Sequence, residues 1–198
     1  MKRILIVFLL AVNVAYGQTT TAPLNTDRVI QAESTVVSNG TATIKGVKVP
    51  YKVTCGTLPV FNAENKAVAS LFYTYYERTD VTDKSRRPFV MSFNGGPGSA
   101  SVWMHVAYTG PKILNIDKEG YPVQPYGVSD NPHSILDVAD IVYIDPVNTG
   151  FSRLLDPKAE RKDFFGVNAD ITYLANWLDV FVSRVGRWTS PKYLIGES

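Results

Sequence analysis

The sequence predicts an α/β fold, in which leading antiparallel strands are followed by parallel strands and a crossover helix. Three observations favour this class. Short apolar runs at 89–93 and 141–144 each end in a tight turn, as buried strands do. A stretch with helical periodicity follows at 167–185, and a third apolar run occupies 193–195. A strand, a long helix and a further strand in this order form the crossover unit of a parallel sheet.

The antiparallel strands are predicted before the first apolar run. Apolar residues alternate with polar ones between Thr41 and Thr54, and a β-prone stretch rich in tyrosine extends from Ala67 to Glu77. The charged segment from Arg78 to Arg87 predicts a surface turn. The segment from Lys112 to Pro132 contains several Gly, Pro and Tyr residues and predicts an extended connection.

The periodic stretch predicts one amphipathic helix. Its apolar residues recur at steps of three and four: Val167, Ile171, Leu174, Leu178, Phe181, Val182 and Val185. Asn168 or Asp170 is expected to cap the start of the helix. Gly186 is expected to end it, because glycine readily adopts the left-handed conformation that follows many helices.

The N-terminus has the layout of a secretory signal peptide. A cationic start precedes the apolar run 4–12, and Ala15 and Gly17 provide the small residues that a signal peptidase needs. The run is too short for a membrane span, which takes roughly 20 apolar residues. We therefore expect cleavage after residue 17, and a protein that is secreted or periplasmic. The single cysteine favours the periplasm over a disulfide-rich secretory route.

The chain is expected to divide into three parts. Residues 1–17 are the predicted signal peptide, and residues 18–38, which are rich in Thr, Asn and Ser, are a predicted flexible leader. Residues 39–198 form the predicted folded domain.

The composition excludes several classes of function. Of the 198 residues, 45% are hydrophobic, 12% aromatic and 19% charged, as in globular proteins. Removal of the two basic residues in the signal peptide lowers the 20 basic residues to 18, which equals the 18 acidic ones. Such a chain lacks the basic surface that binds nucleic acid or anionic membranes. One cysteine, Cys55, excludes an internal disulfide, and with only His105 and His133 no metal site is predicted.

The loop at 94–98, Asn-Gly-Gly-Pro-Gly, is the most specific motif. It follows a predicted buried strand, where hydrolases place backbone N–H groups that stabilise an oxyanion. Glycine suits this role because it lets a substrate approach the main chain closely. The alternative is a glycine-rich turn selected for its positive φ angles. A phosphate-binding loop is excluded because no Lys-Ser or Lys-Thr follows at the required spacing.

The last three residues, Gly196-Glu197-Ser198, have the form of the first half of a nucleophile elbow, G-x-S-x-G. In that motif a serine sits at a sharp turn after a buried strand, and here the apolar run 193–195 leads directly into it. An ordinary loop serine is the alternative, because a tripeptide of this form also occurs by chance.

Together these motifs resemble the serine carboxypeptidase family, peptidase family S10, which comprises secreted α/β-hydrolases that release C-terminal residues from peptides. The resemblance spans roughly 71–198. It implies the N-terminal part of an α/β-hydrolase fold. The matching residues, in order, are Asn94-Gly95-Gly96-Pro97-Gly98-Ser99, Ser101, Trp103, Gly110-Pro111, Asn131, Ser134, Ala139-Asp140, Asp145-Pro146, Gly150-Phe151-Ser152 and Gly196-Glu197-Ser198.

By this resemblance Ser198 is the nucleophile and Gly96 donates a backbone N–H to the oxyanion, while Asn94, Gly95 and Glu197 bind the substrate's terminal carboxylate. The resemblance implies a peptide or protein substrate with a free C-terminus, an acyl-enzyme intermediate, and neither cofactor nor metal. Two carboxylates share a hydrogen bond only when one is protonated. Peptide affinity is therefore expected to be highest in acid and to weaken as Glu197 ionises.

Three positions depart from the family pattern. Ser92 and Ser99 stand where eukaryotic members commonly have a tryptophan and a cysteine, and Asn148 replaces a glycine in a shortened loop. Asn tolerates positive φ better than most residues, so the turn at Asn148 is expected to be kept. These departures favour a bacterial branch of the family.

The chain as given is expected to be the N-terminal part of a longer enzyme that is truncated at its nucleophile. The triad of an α/β-hydrolase follows the order Ser, acid, His. His105 and His133 precede Ser198 and match no catalytic position, and Asp140 and Asp145 are interpreted as a turn residue and a strand-end cap. Without its base the serine hydroxyl is a poor nucleophile, so this chain is not expected to hydrolyse peptides.

Two other functions remain open from the sequence. One is a different secreted α/β-hydrolase, such as an esterase or an aminopeptidase-like enzyme. The other is an exported, non-catalytic binding module that keeps the hydrolase scaffold. A late Asp and His in the downstream reading frame would distinguish an enzyme from a module. In either case the last predicted strand is expected to leave an apolar sheet edge open.

Overall fold

The structure of the protein, a computed structural model, describes residues 31–198. The predicted signal peptide and most of the predicted leader, up to residue 30, lie outside these residues. In the described part the elements are β1 (Ser34–Ile44), β2 (Val47–Phe61), β3 (Ala67–Arg78), β4 (Phe89–Asn94), a π-helix (Met104–Thr109), β5 (Lys112–Leu114), β6 (Val128–Asp130), a 3-10 turn (Ile135–Asp137), β7 (Asp140–Ile144), β8 (Arg153–Leu154), a 3-10 turn (Arg161–Asp163), α1 (Val167–Arg184) and β9 (Lys192–Glu197).

The first hairpin corrects the predicted boundary of the leader. β1 begins at Ser34, so the last five residues of the predicted leader belong to a strand. The leader as a whole has the polar composition of a loop, but these five residues include Val36 and Val37, and their backbone groups pair with Val53–Thr57 of the longer β2. A two-residue turn joins the strands, with φ of 49° at Lys45 and 81° at Gly46, as in the hairpin turns that match strand twist.

The main sheet has seven strands, six of them in the order β1-β2-β3-β7-β4-β9, with β8 paired to β3. The leading strands are antiparallel, whereas β4 runs parallel to both β7 and β9. Helix α1 connects β7 to β9, two strands that lie on either side of β4. The predicted α/β architecture is therefore confirmed. The carboxyl ends of three adjacent parallel strands meet at one edge of the sheet.

Two apolar clusters cover the two faces of this sheet. The aromatic side chains Tyr73, Trp177 and Phe181 join α1 to one face, and the Trp177 and Phe181 rings stack with their centroids 5.0 Å apart. On the other face Met104 and Tyr143 belong to a cluster beneath the π-helix. Among the described residues, no helix has the length and apolarity needed to cross a membrane.

Helix α1 confirms the predicted end and corrects the predicted start. At Gly186 φ is 68°, the amide of Gly186 donates to Ser183 O at 3.2 Å, and that of Arg187 donates to Val182 O at 3.0 Å. These two bonds form a Schellman motif. The residue that precedes the helix is Gly166, and no side chain caps it. The expectation that Asn168 or Asp170 caps the helix was therefore wrong, because both lie inside its first turn.

The buried face of α1 differs from the apolar stripe that the sequence predicted. Tyr173 and Trp177, which the aliphatic periodicity did not include, are buried together with Phe181 and Val182. Val167 and Ile171, which the stripe did include, are 77% and 62% exposed. Large aromatic side chains fill the space between helix and sheet, so they determine which face of the helix is buried.

Asp140 is not a turn residue, as the sequence had suggested, but the centre of a buried ion cluster at the start of β7. Its carboxylate accepts a hydrogen bond from Arg87 Nε at 2.7 Å and a second from Arg187, with Lys84 Nζ at 3.4 Å. Arg87 is also buried, so the segment predicted as a surface turn ends inside the protein. The backbone N–H of Arg78 completes the set at 2.8 Å.

The segment predicted as an extended connection contains a small hairpin. β5 and β6 pair antiparallel in a separate two-stranded sheet, and most of the residues between them are exposed.

The loop that follows β7 keeps its predicted turn. At Asn148 φ is 62°, as expected for an asparagine in place of glycine.

Candidate active site

Four of the five predicted site residues, Asn94, Gly95, Glu197 and Ser198, come together at the carboxyl ends of β4 and β9. These strands are neighbours and run parallel, with Asn94 opposite Glu197 in the register. The amide of Gly95 donates to the main-chain oxygen of Glu197 at 2.7 Å and so extends the pairing one residue beyond β4. The sheet thus places two segments 103 positions apart in the chain side by side.

Asn94 and Glu197 contact each other directly. Nδ2 of Asn94 donates to Oε2 of Glu197 at 2.5 Å, and Oδ1 of Asn94 accepts the backbone N–H of Met104 at 3.0 Å. Since an amide N–H can only donate, the atom that faces Met104 must be the oxygen. This fixes the orientation of the Asn94 side chain and points its NH₂ group towards Glu197. Asn94 is buried, whereas Glu197 is exposed at the edge of the sheet.

Position 95 requires a glycine because the ends of β4 and β9 approach each other closely there. A Cβ atom there would lie 1.8 Å from the main-chain oxygen of Ser198 and 2.8 Å from that of Glu197. No side chain fits this space. The glycine at 95 therefore follows from the close approach of the main chain at the end of β9.

Gly96 is exposed and has a φ of 132°, a backbone conformation that residues other than glycine rarely adopt. It lies in the loop between the end of β4 and the segment that enters the π-helix. The two glycines therefore have different requirements: Gly96 needs its unusual φ, and Gly95 needs its small size.

Ser198 directly follows β9 and has a φ of 72°. A positive φ is uncommon for residues other than glycine, and it costs roughly 1–3 kcal/mol. A serine with a positive φ directly after a parallel strand resembles the local geometry of a nucleophile elbow, although β9 is mostly exposed here and not buried as the sequence predicted. The side chain is exposed.

The two histidines lie elsewhere. The His105 ring stacks on Tyr143 with centroids 4.6 Å apart, and its Nε2 lies 2.8 Å from the Tyr76 hydroxyl. Burial lowers the pKa of His105 to about 4, so the ring is neutral at physiological pH. His133 is exposed in the loop after β6. Among the described residues neither is hydrogen-bonded to Ser198.

Asp145 lies just beyond β7 and is buried, with its two carboxylate oxygens bonded to backbone N–H groups of Ser101 and Phe151 at 2.9 and 3.2 Å. This fits the interpretation of Asp145 as a strand-end cap.

Ser92 is fully buried, and its hydroxyl has no hydrogen-bond partner among the described residues. Sequence reasoning did not identify Met104 as a contact of Asn94, because a backbone N–H carries no signal in the residue type.

A cavity of about 470 Å³ opens beside this edge of the sheet and is lined in part by Asn94, Gly95, Glu197 and Ser198. A second cavity of about 450 Å³ shares Asn94 and Gly95 with it. A larger one, of about 740 Å³, lies between the end of β2 and α1 and contains none of the predicted site residues. Size alone therefore does not identify the site. In the described part of the chain, no cluster of three or more metal-ligating side chains occurs.

Comparisons with known proteins agree with this geometry. The family model of serine carboxypeptidases, Peptidase_S10, matches residues 48–198. The putative serine carboxypeptidase-like 30 of Arabidopsis thaliana is 28% identical over 154 residues, which cover 76% of this chain and 28% of that protein. Carboxypeptidase Y of Schizosaccharomyces pombe is 33% identical over 102 residues, which cover 48% of this chain and 9% of that protein.

Among solved structures, a prohormone-processing carboxypeptidase of Saccharomyces cerevisiae matches with a TM-score of 0.59 and 22% identity, over 75% of this chain and 31% of that chain. This match shows the fold and confirms the predicted α/β-hydrolase class. The chain spans less than a third of the length of each of these relatives. Since the family model covers most of the sequence, the chain belongs to the serine carboxypeptidase family.

Proposed function

We propose that this chain carries the nucleophile and the carboxylate-binding group of a serine-type carboxypeptidase that releases C-terminal residues from peptides. The observation that carries the proposal is the contact between Asn94 and Glu197 at the end of neighbouring parallel strands, directly beside Ser198. An amide NH₂ and a carboxyl group, held together at a strand edge, provide the donors that a peptide's terminal carboxylate requires.

The proposed reaction is acyl transfer. The Ser198 hydroxyl attacks the carbonyl carbon of the last peptide bond, its proton passes to a general base, and the backbone N–H of Gly96 donates to the oxyanion. The C–N bond then breaks, the C-terminal residue leaves as an amine, and water hydrolyses the ester. The base that activates Ser198 is proposed to be a histidine that follows the serine in the chain order of the α/β-hydrolase triad, since in the described part of the chain neither His105 nor His133 is hydrogen-bonded to Ser198.

Carboxylate recognition is proposed to depend on the protonation of Glu197. A neutral carboxyl group donates a hydrogen bond to a peptide carboxylate, whereas an ionised one repels it. The second hydrogen of Asn94 Nδ2 is a donor that does not depend on pH. We therefore expect the affinity for peptides with a free C-terminus to fall as the pH rises.

We also propose the branch of the family, the export and the length of this protein. Ser92 and Ser99 favour a bacterial member of the family, although the relatives named above are plant and fungal proteins. The predicted signal peptide favours a secreted or periplasmic protein with a mature chain that starts at Gln18. We also propose that the chain is the N-terminal part of a longer enzyme. Sequencing the gene beyond codon 198 tests this, and a frame without a late Asp and His would contradict it.

The experiment compares two peptides that differ only at the C-terminus, one a free acid and the other an amide, by isothermal titration calorimetry at pH 4.5. We expect the free acid to bind at least tenfold more tightly, which corresponds to about 1.4 kcal/mol. Equal affinities for the two peptides would contradict carboxylate recognition and favour a hydrolase of another specificity.

A further inference from the structure

Asp145 is a buried carboxylate at the residue that follows β7, and in the described part of the chain no cation forms a salt bridge with it. Arg153 acts on it only through longer-range attraction. Burial raises the pKa of Asp145, although two backbone N–H groups favour the ionised form. Keeping an unpaired carboxylate buried is costly, so its contacts should matter to the protein.

The carboxylate of Asp145 holds two loops together. Oδ1 accepts the N–H of Ser101, which lies in the loop after β4, and Oδ2 accepts the N–H of Phe151, which lies in the loop after β7. Gly150 approaches so closely that a Cβ atom there would lie 2.0 Å from Oδ2. The Ser152 hydroxyl binds the main-chain oxygen of Asp145 at 2.7 Å. The carboxylate is therefore held from two sides.

From Ser101 the hydrogen bonds continue to the candidate site. The Ser101 hydroxyl donates to the main-chain oxygen of Ile144 and accepts the N–H of Asn94 at 3.2 Å. Asn94 in turn donates to Glu197 at 2.5 Å. The connection crosses three neighbouring strands, β7, β4 and β9, and every member except Glu197 is buried.

We propose that Asp145 is a positioning residue, which sets the place of the Asn94 amide and through it the orientation of Glu197. Asp145 does not touch the peptide; it fixes Ser101, and Ser101 fixes the main chain of Asn94. This inference rests on the proposed function for its consequence in peptide binding, but the hydrogen-bond path itself is testable without any ligand.

The variant Asp145→Asn tests the path. Asn has nearly the same shape, but its NH₂ group cannot accept, so one of the two backbone N–H groups loses its partner and meets another donor. We expect solvent exchange of the Ser101 or Phe151 amide to accelerate about tenfold, as for the loss of one hydrogen bond. The ¹⁵N-resolved NH₂ signals of Asn94 should shift towards those of a solvated side chain.

Asp140→Asn is the matched control. Asp140 is an equally buried carboxylate at the other end of the same strand, and it contacts no residue of the site. We expect it to lower stability but to leave the Asn94 signals in place. If Asp145→Asn fails to fold, Ser101→Ala tests the next link on which the positioning role depends, because it removes the hydroxyl that accepts the Asn94 N–H and keeps the N–H that binds Asp145.

Two readouts separate this inference from the proposed function. In the wild type, unequal binding of the free-acid and amide peptides supports the function, whatever Asp145 does. Asp145→Asn should lower the affinity for the free-acid peptide about tenfold and leave the affinity for the amide peptide unchanged. Asn94 signals that stay in place in Asp145→Asn, or in Ser101→Ala if the first variant does not fold, would overturn the positioning role even if the peptides are distinguished. Shifted signals with no preference between the peptides would support the path and reject the function.

Discussion

At the scale of single residues, the site depends on close approach and on the orientation of one amide. The Asn-Gly-Gly-Pro-Gly motif predicted that a reacting group comes near the main chain; what the structure shows at Gly95 is the close approach of the main chain at Glu197 and Ser198. The motif did not predict how Asn94 is oriented. That orientation depends on the backbone N–H of Met104, ten residues away in the chain, and so on the path of the loop into the π-helix.

Gly95→Ala should separate the ends of β4 and β9. The added methyl would overlap the main-chain oxygens of Ser198 and Glu197, and the Glu197 oxygen also accepts the Gly95 N–H that extends the pairing of β4 with β9. We expect a loss of roughly 1–3 kcal/mol in unfolding free energy, typical of overpacking, and no measurable preference for a free-acid peptide. Urea unfolding and calorimetry measure these effects.

Gly127→Ala is the control for this substitution, because a Cβ atom there meets nothing within 4 Å. We expect its stability and peptide binding to match the wild type. A Gly95→Ala protein that kept both properties would show that the strand ends do not lie as close as described.

Asp140→Asn should be strongly destabilising, by about 3–5 kcal/mol, because it leaves two buried guanidinium groups without a counter-ion. Burial raises the pKa of Asp140, but hydrogen bonds from Arg87 and from the Arg78 backbone outweigh this and keep the pKa below its ordinary value. A depressed pKa stabilises the folded state above the unfolded pKa of about 3.9, and this stabilisation is lost as the pH falls through the folded value.

Chemical unfolding of the wild type and of Asp140→Asn between pH 3 and pH 7 measures this contribution. The difference between the two proteins should be largest near neutrality and shrink in acid. A difference that stayed constant across the range would mean that the charge of Asp140 adds nothing to stability.

At the scale of elements, periodicity and turn signals predicted which segments are strands and where α1 ends. The apolar runs 89–93 and 141–144 became β4 and β7, and Gly186 closed the helix through two hydrogen bonds. The start of β1 was missed because a polar edge strand has the composition of a loop. The buried face of α1 was misplaced because Tyr173 and Trp177 supply much of its contact with the sheet.

Strand β9 has a free edge in the described structure, since only β4 pairs with it. Tyr193 and Leu194 on this strand are 55% and 68% exposed. An uncovered apolar edge strand pairs readily with other chains. We predict that the 198-residue chain self-associates as its concentration rises, and that Leu194→Lys reduces this association at least severalfold.

Light scattering coupled to size-exclusion chromatography measures the association, with Val138→Lys as the control at an equally exposed apolar residue away from β9. A monomer at all concentrations, or equal effects of the two substitutions, would contradict the role of this edge.

At the scale of the whole molecule, the sheet topology assembles the site. Parallel pairing of β4 with β7 and β9 brings three loops to one edge, which the order of strands and helix in the sequence already implied. The pairing register, Asn94 opposite Glu197, could not be predicted from the sequence, because it depends on the packing of α1 and on the ion cluster around Asp140. That cluster lies at the start of the same strands and joins β7 to segments before β4 and after α1.

The most direct measurement is the pH dependence of peptide affinity in the wild type and in Glu197→Gln. Gln is neutral at every pH and keeps a donor for the peptide carboxylate. We predict that the wild type binds a free-acid peptide more weakly as the pH rises from 4 to 8, whereas Glu197→Gln binds it with nearly constant affinity. The same pH dependence in both proteins would contradict the claim that the ends of β4 and β9 form a peptide-carboxylate site.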